Sequence, residues 1–273
     1  MANILITGCS SGIGLETAKL LKNNGYKVYA TARKKEDVLM LQELDFIAYK
    51  LDVTNQAEIA EVLEKILKLD KNLDAVFNNA GYGQPGAIED VSTDTLKEQF
   101  ETNFFGLHEV TLQVMRIFRN QGYGKIIQHS SVLGIISLKF RGAYNASKYA
   151  IEGIADTLRQ EVINDNIFIS TINTGPVTSK FRENSLKKFN ENINIKDSFH
   201  RKTYEQELKT RLENKDDGGL FNLPPSSVAN VVLKIMKSKN PKPRYYVTKA
   251  TYILGFAKRI LSTKLLDKLL NKF

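Results

Sequence analysis

Short apolar runs alternate with stretches of helical periodicity along most of the 273-residue chain. The runs predict strands at residues 3–7, 26–32, 46–51, 73–77, 124–129 and 168–173, with a last strand at 244–248. Apolar residues at helical spacing predict helices at 15–24, 55–69, 93–120, 143–162 and 228–237, and Ser92 is the expected N-cap of the third. Strands that alternate with helices form parallel sheets. The pattern therefore predicts a single α/β domain with a doubly wound parallel sheet of about seven strands and helices on both faces.

Two segments depart from this alternation. Residues 179–223 are charged and poorly periodic, and a loop of that length inside a domain is usually functional or disordered. Residues 250–273 have apolar side chains on one side and lysine or arginine on the other, which predicts one amphipathic helix after a main domain at residues 1–249. Such a helix can pack on the protein or lie on an anionic membrane surface, and its apolar stripe favours packing.

Composition narrows the class of function. The net charge is +9, but the basic residues are scattered over the predicted helices, so nucleic-acid binding is not expected. The single cysteine, Cys9, excludes an internal disulfide and favours a reducing, cytoplasmic location. Neither a signal peptide nor an apolar run long enough to span a membrane is indicated. His108, His129 and His200 lack metal-ligand spacing, so no metal is expected, and His129 is interpreted as a packed strand residue.

A glycine-rich turn, Thr-Gly-Cys-Ser-Ser-Gly-Ile-Gly from Thr7 to Gly14, lies between the first strand and the first helix. Glycines allow backbone N–H groups to approach a pyrophosphate, and the positive end of the helix dipole faces the same place. The turn therefore predicts a Rossmann-type fold that binds a dinucleotide. The expected contacts within it are Gly8, Ser10, Ser11, Gly12, Ile13 and Gly14.

The ends of the next strands supply further candidates. Arg33 ends the second strand, where an arginine can accept the 2′-phosphate of NADP and a carboxylate would favour NAD. Because Ala32 carries no charge, NADP(H) is expected to be preferred over NAD(H); the alternative is an arginine that is merely exposed. Ligands of parallel sheets gather at the carboxyl ends of the strands. The other expected cofactor contacts there are Asp52, Val53, Asn79, Ala80 and Gly81.

Tyr144 and Lys148 are four residues apart on the predicted helix 143–162, and Ser131 precedes them in sequence. Residues at this spacing share a helix face, so the Lys148 ammonium can lie beside the Tyr144 phenol. A positive neighbour lowers the pKa of a tyrosine and makes it a candidate general acid or base. Tyr245 and Lys249 have the same spacing, but they fall in a predicted strand, where four residues span about 13 Å.

Four motifs occur in order along the chain: the glycine turn from Thr7, Asn-Asn-Ala-Gly from Asn78, Ser131, and Tyr144 with Lys148. In this the chain resembles the short-chain dehydrogenase/reductase family over roughly residues 3–180 and, more loosely, 224–248. It is most similar to the branch that contains 17β-hydroxysteroid dehydrogenases, retinol dehydrogenases and bacterial aldehyde reductases. That branch is mostly NADP-dependent.

The resemblance implies a role for each matching residue. Tyr144 exchanges the proton of the alcohol, and Lys148 lowers its pKa and bonds the nicotinamide ribose. Ser131 holds the carbonyl oxygen. Asn103, whose place inside a predicted helix itself indicates a hydrogen-bonding task, positions a water that links Lys148 to solvent. Further implied cofactor contacts are Pro176, Val177 and Thr178, although Gly175-Pro176 departs from the commoner Pro-Gly order.

Residues 132–140 resemble the substrate wall of the family, with Leu133 and Leu138 as expected substrate contacts, and residues 179–223 correspond to its substrate cover. The alternative for the two leucines is ordinary core packing. The expected function is hydride transfer between NADP(H) and a hydrophobic aldehyde or ketone, or the corresponding alcohol. The alternatives are a catalytically inactive NADP-binding sensor and a peripheral membrane dehydrogenase of lipids, steroids or retinoids. All four catalytic positions are filled, which argues against a sensor.

The two long predicted helices, 93–120 and 143–162, carry apolar residues on more than their sheet-facing sides. We therefore expect a homodimer or homotetramer, unless the C-terminal helix covers this surface within one chain. The residues concerned include Phe104, Phe105, Val114, Ile117 and Phe118.

Overall fold

Seven parallel strands form one sheet in the computed structural model, which describes residues 1–208 and 222–272. Their order across the sheet is β3-β2-β1-β4-β5-β6-β7. The strands are β1 Asn3–Ile6, β2 Lys27–Ala32, β3 Ile47–Lys50, β4 Ala75–Asn78, β5 Gly124–Ser131, β6 Ile167–Thr174 and β7 Arg244–Tyr246. The predicted doubly wound parallel sheet is confirmed. Each predicted strand is present, with small shifts at its ends.

Helices connect the strands and cover both faces of the sheet. They are α1 Gly12–Asn23, α2 Lys35–Glu43, α3 Gln56–Asp70, α4 Thr93–Phe100, α5 Leu107–Gln121, α6 Gly142–Glu161, α7 Phe181–Asn192, α8 Ser226–Lys237, α9 Lys249–Ile260 and α10 Thr263–Leu270. Helix α2 was not predicted from the sequence. This helix has nine residues and buries only Val38 and Leu41, so its periodic signal is weak.

The two helix layers pack against alternate residues of the same strands, one layer on each face of the sheet. On one face, Leu21 of α1 and Val232 of α8 pack with Ile4 and the other residues that β1 turns to that side. On the other face, Val114 of α5 packs in a cluster with Leu5. Because side chains of a strand alternate between its faces, a sheet covered on both sides reads as continuous apolar runs.

Two side-chain caps fix the starts of α3 and α4. The Asn55 Oδ1 accepts hydrogen bonds from the backbone N–H groups of Ala57 and Glu58. The Ser92 hydroxyl accepts one from the N–H of Thr95, which confirms the predicted N-cap. Each cap contributes about 1 kcal/mol because it satisfies a backbone donor that the helix leaves unpaired.

The predicted helix 93–120 is present, but it is not a regular α-helix throughout. After α4, residues Glu101–Gly106 form a π-helical segment, and α5 follows directly. Asn103 lies inside this segment and bonds the backbone of Tyr82 instead of its own helix. Val114 and Phe118, predicted on an outward face, are fully buried against the sheet, whereas Phe105 remains 49% exposed.

The prediction of a single helix at 250–273 is wrong, because the helix is interrupted between α9 and α10. Leu261 has an extended backbone (φ −86°, ψ 141°), and α10 starts at Thr263. Ala257, Leu266 and Leu270 pack on the loop that follows β5. The inner face of the two helices is therefore packed on the protein.

The segment 179–223, predicted as a poorly periodic cover, contains α7 and two short turns, Arg201–Thr203 and Tyr204–Leu208. Residues 209–221 lie outside the described residues. The Tyr204 hydroxyl accepts a hydrogen bond from the N–H of Ala87 (2.7 Å) and donates one to Asp90. The ring of Tyr204 is fully buried beside Phe189 of α7. This part of the segment is therefore docked on the loop after β4.

No helix within residues 1–208 and 222–272 combines the length and the apolar character needed to cross a membrane.

Candidate active site

The ends of β1 and β4 are joined by the side chains of Thr7 and Asn79. The Thr7 Oγ1 accepts hydrogen bonds from the backbone N–H groups of Asn79 and Ala80, both at 3.0 Å. In return, the Asn79 amide donates to the carbonyl oxygens of Thr7 and Gly8, also at 3.0 Å. The glycine turn and the Asn-Asn-Ala-Gly turn, predicted separately, therefore form one structure where the strand order reverses.

The geometry of the glycine turn fits a dinucleotide. Gly8 and Gly12 have positive φ angles of 73° and 56°, which favour glycine. A Cβ at Gly14 would collide with the Gly8 carbonyl. The first turn of α1 contains no acidic residue, and Ser11 has an extended backbone and makes no side-chain cap. Its leading N–H groups can therefore receive a phosphate together with the helix dipole.

Arg33 and Asp52 follow neighbouring strands, β2 and β3. Arg33 is exposed, and no ion pair within the described residues involves it. The Asp52 Oδ1 accepts hydrogen bonds from the N–H (3.0 Å) and hydroxyl (2.8 Å) of Thr54. Val53 is buried beneath Gly106 of the π-helical segment. These residues therefore lie at the same ends of the strands as the glycine turn, which follows β1.

Asn103 fastens the start of the loop after β4. Its Oδ1 accepts a hydrogen bond from the N–H of Tyr82 (3.0 Å), and its Nδ2 donates to the carbonyl of the same residue (2.8 Å). The Nδ2 also lies 3.3 Å from the Ser147 hydroxyl on α6. The predicted hydrogen-bonding task is confirmed, and it connects the Gly81–Tyr82 turn to the helix that carries Tyr144.

Tyr144, Ser131 and Lys148 meet where β5 runs into α6. The Ser131 hydroxyl lies near the Tyr144 hydroxyl and acts to lower the pKa of that phenol. The Lys148 Nζ lies 5.6 Å from the centre of the Tyr144 ring and donates a hydrogen bond of 2.7 Å to the His129 carbonyl. Tyr245 and Lys249, which have the same spacing, do not share a helix: Tyr245 is buried in β7, and Lys249 begins α9 on the surface.

The pKa values of the pair differ from the expectation. Burial raises the pKa of Tyr144 to about 12, and the Ser131 hydroxyl opposes that rise. Burial also lowers the pKa of Lys148 to about 8. The prediction that Lys148 lowers the pKa of Tyr144 is wrong for this arrangement, because burial outweighs the charge and the ammonium is bound to the His129 carbonyl. The phenol therefore keeps its proton throughout the neutral range.

His129 is both packed in its strand and part of the site. Its Nδ1 lies 3.1 Å from the Asn79 Oδ1, and its Nε2 lies 3.3 Å from the Thr174 hydroxyl. Burial and the charge of Lys148 lower the pKa of His129 to about 3, so the imidazole is neutral. It links the ends of β4, β5 and β6. Within the described residues, no group of His, Cys, Asp and Glu is arranged to hold a metal ion.

Glu152 was missed by the sequence analysis. It stands four residues after Lys148, so it continues the stripe of Tyr144 and Lys148 along α6, a spacing that could have revealed it. It is 8% exposed and accepts hydrogen bonds from Asn173 (2.6 Å) and Arg244 (2.7 Å). Its negative charge raises the pKa of Lys148 and so opposes the effect of burial.

The loop after β6 returns to the glycine turn. Val177 pairs with Leu223, and the N–H of Thr178 donates to the Leu223 carbonyl (3.0 Å). The next residue, Ser179, lies so close to Gly12 that a Cβ there would come within 3.1 Å of its side chain. Pro176, Val177 and Thr178 are therefore brought beside the predicted phosphate site.

The expected substrate wall packs on the C-terminal helices. Leu133 and Leu138 are half-buried in one cluster with residues of α9 and α10. Phe181, at the start of α7, places its ring 5.3 Å from the Tyr144 ring, edge to face. Sequence reasoning missed Phe181 because its helix lies in the weakly periodic segment. Phe181 therefore supplies an apolar ring beside Tyr144, whereas Leu133 and Leu138 pack with the C-terminal helices.

Comparison with known proteins decides the family. A family model described as short chain dehydrogenase matches residues 2–190. The protein belongs to the short-chain dehydrogenase family. The predicted family is confirmed, and the protein is accordingly an oxidoreductase.

Relatives of this short-chain dehydrogenase span nearly the whole chain. The uncharacterized oxidoreductase YbbO of Escherichia coli is 35% identical over 270 residues, which cover 98% of this chain and 94% of the relative. The 3-ketodihydrosphingosine reductase of Bacteroides thetaiotaomicron is 33% identical over 258 residues, with coverages of 93% and 90%. A serine dehydrogenase complexed with NADP+ has the same fold, with a TM-score of 0.78, 21% identity and coverages of 91% and 95%. Solved structures of this fold hold NADP+ or NAD.

Replacing Glu152 by glutamine is expected to lower the pKa of Lys148 below about 8, because the substitution removes the carboxylate that raises it and keeps the hydrogen-bonding shape. An NMR titration of the labelled lysine side chain, assigned with Lys148→Arg, measures the shift. Asp156→Asn is the matched control, since Asp156 also pairs with Arg244. An unchanged titration in Glu152→Gln, or an equal shift in the control, would contradict the assignment.

Proposed function

We propose that the protein is an NADP(H)-dependent reductase of hydrophobic aldehydes or ketones, acting also on the corresponding alcohols. The observation that carries the proposal is the meeting of the Tyr144 and Ser131 hydroxyls beside the buried Lys148. A proton donor, a partner for the substrate oxygen and a positive charge are the groups that carbonyl reduction requires from the protein.

The cofactor would supply the hydride, and the side chains would handle the proton. Tyr144, protonated because its pKa is about 12, donates its hydroxyl proton to the carbonyl oxygen, which Ser131 holds. The positive charge of Lys148 stabilises the phenolate that remains. Asn103, whose amide is bonded to Tyr82 and Ser147, is proposed to position a water beside Lys148.

The substrate is proposed to be apolar around its carbonyl group. Leu133, Leu138 and Phe181 border the site. The name of the Bacteroides relative, 3-ketodihydrosphingosine reductase, describes a reductase of a ketone on a long-chain lipid, which supports the same class. We propose residues 1–249 as the catalytic domain, with 179–223 as its cover and 250–273 closing its wall. The reduced, buried Cys9 supports a cytoplasmic location.

NADP(H) is proposed as the preferred cofactor because Arg33 is exposed at the end of β2 and Ala32 before it has no charge. The pyrophosphate would lie on the turn from Gly8 to Gly14, and the adenine would lie near Asp52 and Val53. The nicotinamide end would approach Asn79, Ala80, Gly81 and the loop Pro176–Thr178, with its ribose beside Tyr144 and Lys148.

Tyr144→Phe is expected to lower the turnover of NADPH-dependent aldehyde reduction by at least about 100-fold, because it removes the proton donor. NADPH affinity should change little, and fluorescence titration measures it in parallel. Tyr245→Phe is the control, because Tyr245 shares the spacing to a lysine but lies in β7. Turnover in Tyr144→Phe above a third of the wild-type value would contradict the proposed mechanism. A wild-type protein that binds NADPH but shows no turnover would instead favour the sensor.

Arg33→Ala is expected to remove most of the preference for NADPH over NADH. A charged hydrogen bond to the 2′-phosphate contributes about 1.5–3 kcal/mol, which corresponds to about 10- to 100-fold in the NADPH dissociation constant. Calorimetric titration with both cofactors measures the effect, and Lys35→Ala, which changes an exposed neighbouring charge, serves as the control. Equal affinities for NADPH and NADH in the unmutated protein would show that Arg33 does not bind the 2′-phosphate.

A homodimer or homotetramer through the α5–α6 layer is also proposed. Phe105 and Leu112 are 49% and 38% exposed there. Phe105→Glu/Leu112→Glu is expected to produce monomers in light scattering, because carboxylates would be buried in the interface. Leu39→Glu on α2, in the opposite helix layer, should leave the mass unchanged. A monomeric wild-type protein at micromolar concentration would remove the proposal.

A further inference from the structure

The helices α9 and α10 have a second apolar surface besides the one that packs on the protein. We define the outer apolar face as Tyr252, Ile253, Phe256 and Ile260 of α9 with Leu265 of α10. These side chains are 59%, 57%, 64%, 62% and 54% exposed. In α9 they follow one another at positions i, i+1, i+4 and i+8, so they form one stripe along the helix. Elsewhere in the described chain, large exposed apolar side chains are scattered over separate elements.

The inner face keeps the stripe in place. Leu254, Ala257 and Leu266 belong to the cluster that covers the loop after β5. The Tyr252 ring packs edge to face on Tyr246 of β7, with ring centres 5.3 Å apart. The Thr248 hydroxyl caps α9 by accepting the N–H of Thr251. The outer apolar face is therefore held outward by a folded support.

The same part of the chain is strongly basic. Residues 249–272 contain six basic side chains and one carboxylate, Asp267. The basic residues are exposed, and no ion pair within the described parts of the chain engages them. They are Lys249, Lys258, Arg259, Lys264, Lys268 and Lys272. Residues 249–272 thus carry a net charge of +5, which is more than half of the +9 of the whole chain.

We infer that the outer apolar face docks the protein on an anionic lipid surface. An exposed apolar stripe on helices rich in lysine and arginine inserts into the interface between acyl chains and headgroups, while the cations meet the anionic phosphates. A second copy of this chain would not fit the same face, because two strongly basic surfaces would be brought together. Both kinds of recognition, apolar insertion and charge, are present on one exposed surface.

The outer apolar face lies close to the proposed substrate wall, so docking would bring the substrate site near the lipid. The inner sides of α9 and α10 touch the wall that contains Leu133 and Leu138. One helix layer, about 10 Å thick, therefore separates the lipid surface from the proposed substrate wall. A carbonyl compound dissolved in the bilayer would reach the site without crossing water. Docking itself does not depend on the proposed reductase activity.

Co-sedimentation with vesicles tests the inference on the intact protein. Binding is expected to vesicles of phosphatidylcholine with about one third phosphatidylglycerol and to weaken with salt, because each basic residue near the surface contributes about fivefold. Vesicles of phosphatidylcholine alone should bind far less. Phe256→Glu/Ile260→Glu should lower the partition coefficient on anionic vesicles by at least about tenfold. The assay requires no catalysis, so its result is independent of the proposed function.

Matched variants separate this face from nonspecific attraction. Leu39→Glu/Leu69→Glu introduces the same charges at exposed apolar positions of α2 and α3 and should reduce binding far less. Lys258→Glu/Arg259→Glu should reduce binding more than Lys234→Glu/Lys239→Glu, which changes the net charge equally on α8 and just after it. Thermal unfolding confirms that each variant is folded.

Three results would overturn the inference. The first is failure of the intact protein to sediment with anionic vesicles at low salt. The second is equal loss of binding in a variant of the face and in its matched control. The third is a light-scattering mass that drops in Phe256→Glu/Ile260→Glu while vesicle binding is unchanged, which would show that a second copy covers the face.

Discussion

The hydroxyl of Thr7 holds together the part of the molecule on which the site depends. A single oxygen accepts the N–H groups of Asn79 and Ala80, and so binds the end of β1 to the turn after β4. These two strands are neighbours at the reversal of strand order, where the crossovers diverge to opposite faces and leave a crevice. Buried backbone donors left without partners cost about 1–3 kcal/mol each, so the turn would not keep this shape unaided. The glycine turn, His129 and the end of β6 are all positioned from this junction.

Buried charge is the second constraint, and it is confined to one stripe of α6. Lys148 is 5% exposed and Glu152 is 8% exposed, and each has polar partners from the neighbouring strands. A buried ammonium is costly unless it is hydrogen-bonded and compensated, and the stripe provides both within two helical turns. Arg244 of β7 pairs with both Glu152 and Asp156, so a series of charged side chains leads from Lys148 to the surface. The ionisable groups of the site therefore depend on elements far apart in the chain.

The sheet and the motif residues could be predicted from sequence, because apolar runs and glycine turns report local structure that is buried or strained. The same patterns placed Ser131, Tyr144 and Lys148 on the strand and helix where they are found. Phe181 and Glu152 were not predicted, since their roles arise from contacts between elements. The direction of the pKa shift of Tyr144 was also missed. Spacing along a helix reports proximity, whereas the shift depends on burial, which only the packed structure determines.

The π-helical segment at Glu101–Gly106 changes the rotation of α5 about the helix axis relative to α4. A π-turn accommodates one more residue than an α-turn, so the helix beyond it is rotated by about 100° from the course that a regular helix would take. Beyond this segment, Val114 and Phe118 of α5 are buried against the sheet. Asn103 and Gly106 make the extra residue tolerable by bonding Tyr82 and by passing close to Val53. A one-residue length change, absorbed inside a helix instead of a loop, thus sets which side of α5 belongs to the core and which side another molecule can meet.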